Sequence, residues 1–480
     1  MKSARFLGGP QALALALTLA LLAPLSGCAG LLRQADAQAK PAQARAESLP
    51  APVRVKLSNG LTLLVIERRN LPIVSVSAIV RAGGAYDPAH QAGLASLTAS
   101  LLERGTTTRT APQIAEAIDF VGGSLSVGAG LDSTSAGLSV LKKDLDTGLG
   151  VFADVLMRPT FPEAELKRVK EEATANLRSS LDDADEVARM AFERSLLAGH
   201  PYGTSATIGT LGRINRADLV TFYETYYRPN NAFMAVVGDL SPEEATAKFE
   251  QVFKGWAAKP VTLPALKAPT APTERRVVLV DMPVNQSFIR LGNLGVQRNH
   301  ADYFPLIVLN FILGGDFTSR LNQEIRDRQG LAYGAGSRFA MNLAAGTFTA
   351  SLNTKSQSTG QALRAVLGEV RKMQEAPVSA AELAFAKDYL TGAFPLRFET
   401  NADLAREVVN MEFFGLAPDY LATYRERVRA VGADDVQRVA RQYLHPEAYQ
   451  LVVVAKAQDV AQELKAFGTL GTLDRQVLIR

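Results

Sequence analysis

Residues 93–106 read GLASLTASLLERGT, and their leucine spacing predicts a helix. On a helix, positions i, i+3 and i+4 share a face. Ser96, Ala99 and Ser100 form such a trio. Two imidazoles at i and i+4 could share a metal ion, and a carboxylate at i+3 could take a proton from metal-bound water. Here the face carries two hydroxyls and a methyl. Hydroxyls are poor zinc ligands, and alanine cannot act as a base. No other residues replace them, because the four histidines, His90, His200, His300 and His445, are scattered, none within five residues of another. Serine chemistry has no local motif either. The string closest to G-x-S-x-G is Gly203-Thr204-Ser205-Ala206-Thr207, which lacks the final glycine, so a Ser–His pair could arise only by tertiary contact.

The elements that would position such groups follow from the patterning. VRVKLSNGLTLLVIE, from residue 53, reads as two strands joined through Asn59-Gly60, a strong hairpin signal, and LPIVSVSAIV adds a third. Helical periodicity dominates 162–198, and FMAVVGD at 233–239 reads as a strand. Pro260, Pro264, Pro269 and Pro272 mark a stiff connector over 257–276, after which VVLVDMP opens a new strand. The stretches on either side of this connector are related. INRADLVTFYETYYRPNNAFMAVVGD (214–239) aligns with VGADDVQRVARQYLHPEAYQLVVVAK (431–456), pairing Asp218 with Asp435, Tyr226 with Tyr443 and Pro229 with Pro446. The same offset of 217 residues, with no gap, sets Ala164-Glu165-Leu166 over Ala381-Glu382-Leu383. A single register across both blocks points to duplication. The expected architecture is α+β: two similar domains, 53–256 and 277–480, each a mainly antiparallel sheet packed with helices.

The chain has 480 residues, 47% of them hydrophobic, which is ample for folded cores. Its N-terminus reads as an address. MKSAR supplies positive charge, and a short apolar run leads to Leu25-Ser26-Gly27-Cys28-Ala29, where Cys28 is the only cysteine. The string resembles a bacterial lipoprotein box: a signal peptide over 1–27, lipidation at Cys28, and an Ala/Gln-rich tether over 28–52. Ala29 resembles the residue that sorts such proteins to the outer membrane, facing the periplasm. With one cysteine, a disulfide framework within the chain is excluded. The formal net charge of +4 falls to +2 once Lys2 and Arg5 leave with the leader, too little for an electrostatic footprint on nucleic acid.

Two domains of this pattern resemble the pitrilysin/insulinase family of zinc metallopeptidases, especially its bacterial and mitochondrial-processing-type branch. The likeness covers nearly all of the mature chain and implies the LuxS/metallohydrolase-like fold. The family's inverted zinc motif, His-x-x-Glu-His, lies in a helix preceded by Gly-Leu and followed by a Gly-Thr turn, the frame of GLASLTASLLERGT. In that frame Ser96 and Ser100 stand where the histidines would be and Ala99 where the glutamate would be. The third ligand is a glutamate seven residues after another acidic residue, which places it at Glu172, after Glu165. GGDFTSRLNQEIRDRQGLAYGAGSRF (314–339) resembles the stretch in which the family carries an arginine and, seven residues on, a tyrosine that grip substrate beside the scissile bond; Arg326 and Tyr333 match them. A guanidinium and a phenol suit the stabilisation of a developing oxyanion.

The resemblance therefore implies a non-catalytic chain with no metal or cofactor of its own. It would bind peptide substrates and complete the active site of a zinc-bearing homologous partner, with a lipid anchor in the membrane. Two alternatives stand beside it: a peptide-binding or assembly scaffold with no active partner, and a peptidase with an unconventional site.

Overall fold

Alternating apolar residues build two six-stranded sheets in the computed structural model, which describes residues 51–480. The leader, Cys28 and nearly all of the tether lie outside the described residues. Strands β1 (Val53–Lys56) and β2 (Thr62–Glu67) form the expected hairpin, closed where Gly60 takes a φ of 87° and the Asn59 side chain accepts the Leu61 N–H. The first sheet continues with β3 (Ile73–Val80), β4 (Ser124–Ala129), β5 (Thr134–Leu141) and β6 (Ala232–Gly238), in the order β1-β2-β6-β3-β5-β4. The second sheet holds β7 (Arg276–Asp281), β8 (Gln286–Gly295), β9 (Ala332–Met341), β10 (Gly346–Lys355), β11 (Gln450–Ala455) and β12 (Thr469–Thr472), in the order β12-β7-β11-β8-β10-β9. Five neighbouring strands match between the two orders. Each sheet has one parallel pair at the same place, β2 with β6 and β7 with β11. The outer strands differ: β1 arrives through a hairpin and is antiparallel, while β12 runs parallel to β7.

The helices repeat with the same spacing. They include α1 (Leu94–Leu102), α2 (Glu163–Ser180), α3 (Ala184–Leu196), α4 (Arg216–Tyr226), α5 (Tyr303–Asn310), α6 (Ala380–Ala393), α7 (Asn401–Phe414) and α8 (Ala433–Tyr443). Adding 217 to the first residue of α2, α3 and α4 gives the first residue of α6, α7 and α8. The helical pattern over 162–198 divides into α2 and α3, because Asp183 accepts the Asp185 and Glu186 N–H groups and starts a new helix.

Helices α3 and α7 exchange places. Helix α3, from the first half, lays Val187, Ala188, Ala191 and Phe192 on Val280, Val452 and Val454 of the second sheet. Helix α7, from the second half, lays Leu404, Ala405, Val408 and Val409 on Leu64, Ile66, Ala235 and Val237 of the first. Burying each of these larger side chains is worth about 2 kcal/mol. The connector, which has neither helix nor strand over 257–272, separates the repeats along the chain but not the layers in space. Polar contacts reinforce the exchange. The Asn401 amide donates to Ile73 O (3.0 Å), Arg290 pairs with Asp185 (2.7 Å), and Arg54 pairs with Glu412 (2.9 Å).

Candidate functional site

Helix α1 begins at Gly93, whose φ of 100° suits glycine, and its first turn is held by a carboxylate from outside the helix. Asp87 Oδ2 accepts the Gly93 N–H and Oδ1 the Ala95 N–H, both at 2.8 Å. Burial raises the Asp87 pKa to about 6, although these backbone donors favour its charged form. Leu94, Leu97, Leu101 and Leu102 sink into the first half's core. Ser96 and Ser100 face out, while Ala99 is 0% exposed. The face has two outward hydroxyls over a floor closed by a methyl, so it is sealed as well as lacking ligands.

Glu172 does not compensate. It stands exposed on α2 and pairs with Arg168, which also binds Glu165 at 2.7 Å. Zinc, which the family frame implies, does not fit this donor set of two hydroxyls, a methyl and a carboxylate engaged by arginine. Among the described residues, no group of three or more His, Cys, Asp or Glu side chains is placed to hold a metal ion. Two of the four histidines hold backbone N–H groups with one ring nitrogen. His200 Nδ1 accepts the Tyr202 N–H at 3.1 Å, and His300 Nδ1 accepts the Asp302 N–H at 3.0 Å.

The second half is built differently. After α5 the chain widens into a π-helical turn over Phe311–Gly315, loops through 316–319, and enters a second π-helical turn over Gln323–Arg328. The sequence pattern predicts a plain amphipathic helix here. Leu321 and Ile325 are indeed fully buried, but the backbone between them is wound more loosely than an α-helix, a form common at functional sites. Gly330, at φ 60°, ends the turn with its N–H on Arg326 O and the Leu331 N–H on Ile325 O. Strand β9 then starts with a bulge. Leu352 pairs with Ala335 and Thr354 with Ala332, so Tyr333 and Gly334 together oppose Asn353. Such a bulge re-aims the side chain it carries.

This backbone brings Arg326 and Tyr333 together. The guanidinium carbon of Arg326 lies 5.5 Å from the centre of the Tyr333 ring, and Tyr333 is 90% exposed. Phe317, which sequence reasoning missed, also contacts the guanidinium, with its ring centre 4.1 Å from the same carbon. An aromatic residue inside the polar turn GGDFTSR is the signal that could have found it. Arg326 Nη1 is buried and has no hydrogen-bond acceptor. The nearest carboxylate, Asp327, is 3.9 Å from Nε. The site therefore offers a partly accessible cation in contact with two accessible rings.

A buried cluster ties the first half to the hairpin between β9 and β10. The Tyr202 hydroxyl donates to Asp132 and accepts the Ala344 N–H at 3.0 Å, while Asp132 Oδ2 accepts the Leu343 N–H at 3.0 Å. Burial raises the pKa of both side chains.

Comparison with known proteins identifies the family. The profile described as "Insulinase (Peptidase family M16)" matches residues 63–207, and that described as "Peptidase M16 inactive domain" matches 213–390. The "uncharacterized zinc protease YmxG" of Bacillus subtilis is 25% identical over 405 residues, spanning 84% of this chain and 98% of its own. The "non-peptidase homolog YmxG" of Helicobacter pylori is 26% identical over 380 residues, 77% of this chain and 86% of its own. The crystal structure titled as a peptidase M16 inactive domain from Pseudomonas fluorescens superposes with a TM-score of 0.80 at 27% identity, covering 85% of this chain and 98% of that one. With two profiles of the family matched in succession along the chain, and two sheets of repeated topology beneath them, the chain belongs to the insulinase family of peptidases, M16.

Proposed function

We propose that this chain is the non-catalytic, substrate-binding subunit of a two-chain zinc peptidase. It lends Arg326 and Tyr333 to the active site of a zinc-bearing homologous partner. The observation that carries the reading is the contrast between the halves: a face floored by the buried Ala99 methyl, against a partly accessible guanidinium at Arg326 beside the exposed ring of Tyr333. The accessible part of that guanidinium can donate to a substrate carbonyl. As charge builds on that carbonyl oxygen, a fixed guanidinium and phenol stabilise it more than they stabilise the ground state. The zinc-activated water and the general base would come from the partner. The resemblance of residues 25–29 to a lipoprotein box supports a location for the pair on the periplasmic side of the outer membrane, held by acyl chains on Cys28.

The test is recovery of the native lipoprotein from membranes, followed by peptide cleavage assays on each chain alone and on the pair. A homologue carrying His-x-x-Glu-His should co-purify and should cleave well only when this chain is present. Cleavage of peptides by this chain alone, or recovery without any such homologue, would overturn the reading. Changing Cys28 to Ser should release the protein into the soluble periplasm or stall its processing.

A further inference from the structure

Phe317 is 62% exposed, yet it does not sit on a loose loop. Asp316 Oδ1 accepts both the Thr318 N–H (2.9 Å) and its hydroxyl (2.7 Å), and the Asn322 amide donates to Asp316 O at 3.1 Å. Asn322 Oδ1 in turn accepts the Ala335 N–H of β9 at 3.0 Å, so the loop and the strand bearing Tyr333 are fixed to one another. The Gln323 amide holds Thr318 O at 2.7 Å. A bulky ring is thus held in solvent on a tied-down backbone, resting its face against the Arg326 guanidinium. Exposure of this kind gains nothing for folding. It becomes favourable when a ligand covers it, because cation–π attraction strengthens as water leaves.

We propose that Phe317 is a third member of the site. It positions Arg326 together with Tyr333 and selects ligands that present an acceptor oxygen beside an apolar side chain. Phe317 packs against the guanidinium, which is therefore oriented before binding. The acceptor meets the accessible part of the guanidinium, and the neighbouring apolar group packs on the exposed Phe317 ring. A peptide supplies this combination from an internal carbonyl or from its C-terminal carboxylate. The ligand being a peptide rests on the function proposed above, but the binding site itself requires no partner.

The experiment measures fluorescence anisotropy with the full mature chain and no partner, so the absence of a zinc-bearing homologue would not affect it. The probes are a fluorescein-labelled dodecapeptide with Phe-Leu at its centre and at its C-terminus, and a version with serine at all four places. Each is made as the free acid and as the C-terminal amide. The wild type should prefer the apolar peptide by on the order of tenfold. Phe317→Ala should remove that preference while leaving the serine peptide nearly unchanged, and Phe317→Trp should restore it. Arg326→Gln should weaken both peptides. Equal binding of acid and amide assigns the acceptor to an internal carbonyl, whereas loss with the amide assigns it to the terminal carboxylate. The proposal is overturned if the wild type binds neither peptide, if Phe317→Ala weakens both by the same factor, or if Phe317→Trp fails to restore discrimination in a variant with wild-type circular dichroism.

Discussion

Helices α2 and α6 occupy the same place in the two repeats, and their outer faces have diverged. Glu165, Leu166, Val169 and Lys170 of α2 correspond to Glu382, Leu383, Ala386 and Lys387 of α6, so the side that packs is kept. On the outer side, Arg168 and Glu172 correspond to Phe385 and Tyr389. In the first half these two positions form an ion pair. In the second they are half-exposed aromatic rings packed on Phe311 at the first π-helical turn. The strands alongside differ in the same sense. Strands β4 and β5 pair without interruption, whereas β9 and β10 are broken by the bulge at Tyr333. Duplication preserved the layers, while the π-helical turns and the bulge collected in the second half. Regular structure satisfies its own hydrogen bonds, and a site that must bind something else cannot.

The largest effect should come from forcing chemistry back into the closed half. Ala99→Glu puts a carboxylate where nothing is exposed, and it should destabilise the fold by about 4 kcal/mol in chemical denaturation. Ser96→His and Ser100→His, on the outward positions, should each change stability by less than about 0.5 kcal/mol. If Ala99→Glu were as mild as the histidine variants, the first half would be open and the contrast between the halves would fail.

Next is the open half, assayed in the complex. Arg326→Ala or Tyr333→Phe should lower turnover by about 100-fold, roughly 3 kcal/mol, while assembly and the partner's zinc content stay unchanged. Glu172→Gln, which removes only an exposed pairing with Arg168, should be nearly silent. The reverse outcome would move the working half to the first repeat.

The link between the halves should matter less. Tyr202→Phe removes the hydroxyl that donates to Asp132 and accepts the Ala344 N–H, and should cost about 2 kcal/mol of stability. Asp132 keeps its bond from Leu343, so the hairpin should stay attached. Hydrogen exchange at Ala344 should accelerate, with little change in β1 and β2 at the far edge of the first sheet.

Much of this comparison was legible in the sequence, because periodicity and offset are local properties. The strand runs, the Asn59-Gly60 turn and the common register of the two repeats are all visible in the string, as is the lack of ligands at Ser96, Ala99 and Ser100. The exchange of α3 and α7 was not. An amphipathic helix specifies that it needs an apolar surface, but not which sheet supplies it. The π-helical turns, the bulge and the stacking of Phe317 were hidden for another reason: each is a departure from regular periodicity, which is what the pattern of apolar residues reports.

Asp87 is a further case, and it gives the smallest predicted effect. Nothing in RAGGAYDP marks this aspartate as the group that holds α1, since its partners lie six and eight residues on. Its pKa is raised by burial to about 6 in the folded chain, against about 3.9 in an unfolded one. The folded state therefore binds the proton more tightly, so lowering the pH through 6 toward 4 should add stability and raising it should remove it. Between pH 7 and pH 5 this amounts to about 1 kcal/mol from Asp87 alone. Glu382 works in the opposite sense but in another window. Its pairing with Arg320 lowers its pKa to about 2, so its contribution is lost only as the pH falls from about 4 toward 2. Denaturation of wild type and Asp87→Asn at pH 7 and pH 5 isolates the first group, because every other titrating side chain is common to both. The variant should lack about 1 kcal/mol of the stabilisation that the wild type gains on acidification. Parallel behaviour of the two proteins would mean that Asp87 is solvated, and that the closed character of the first half does not extend to the start of α1.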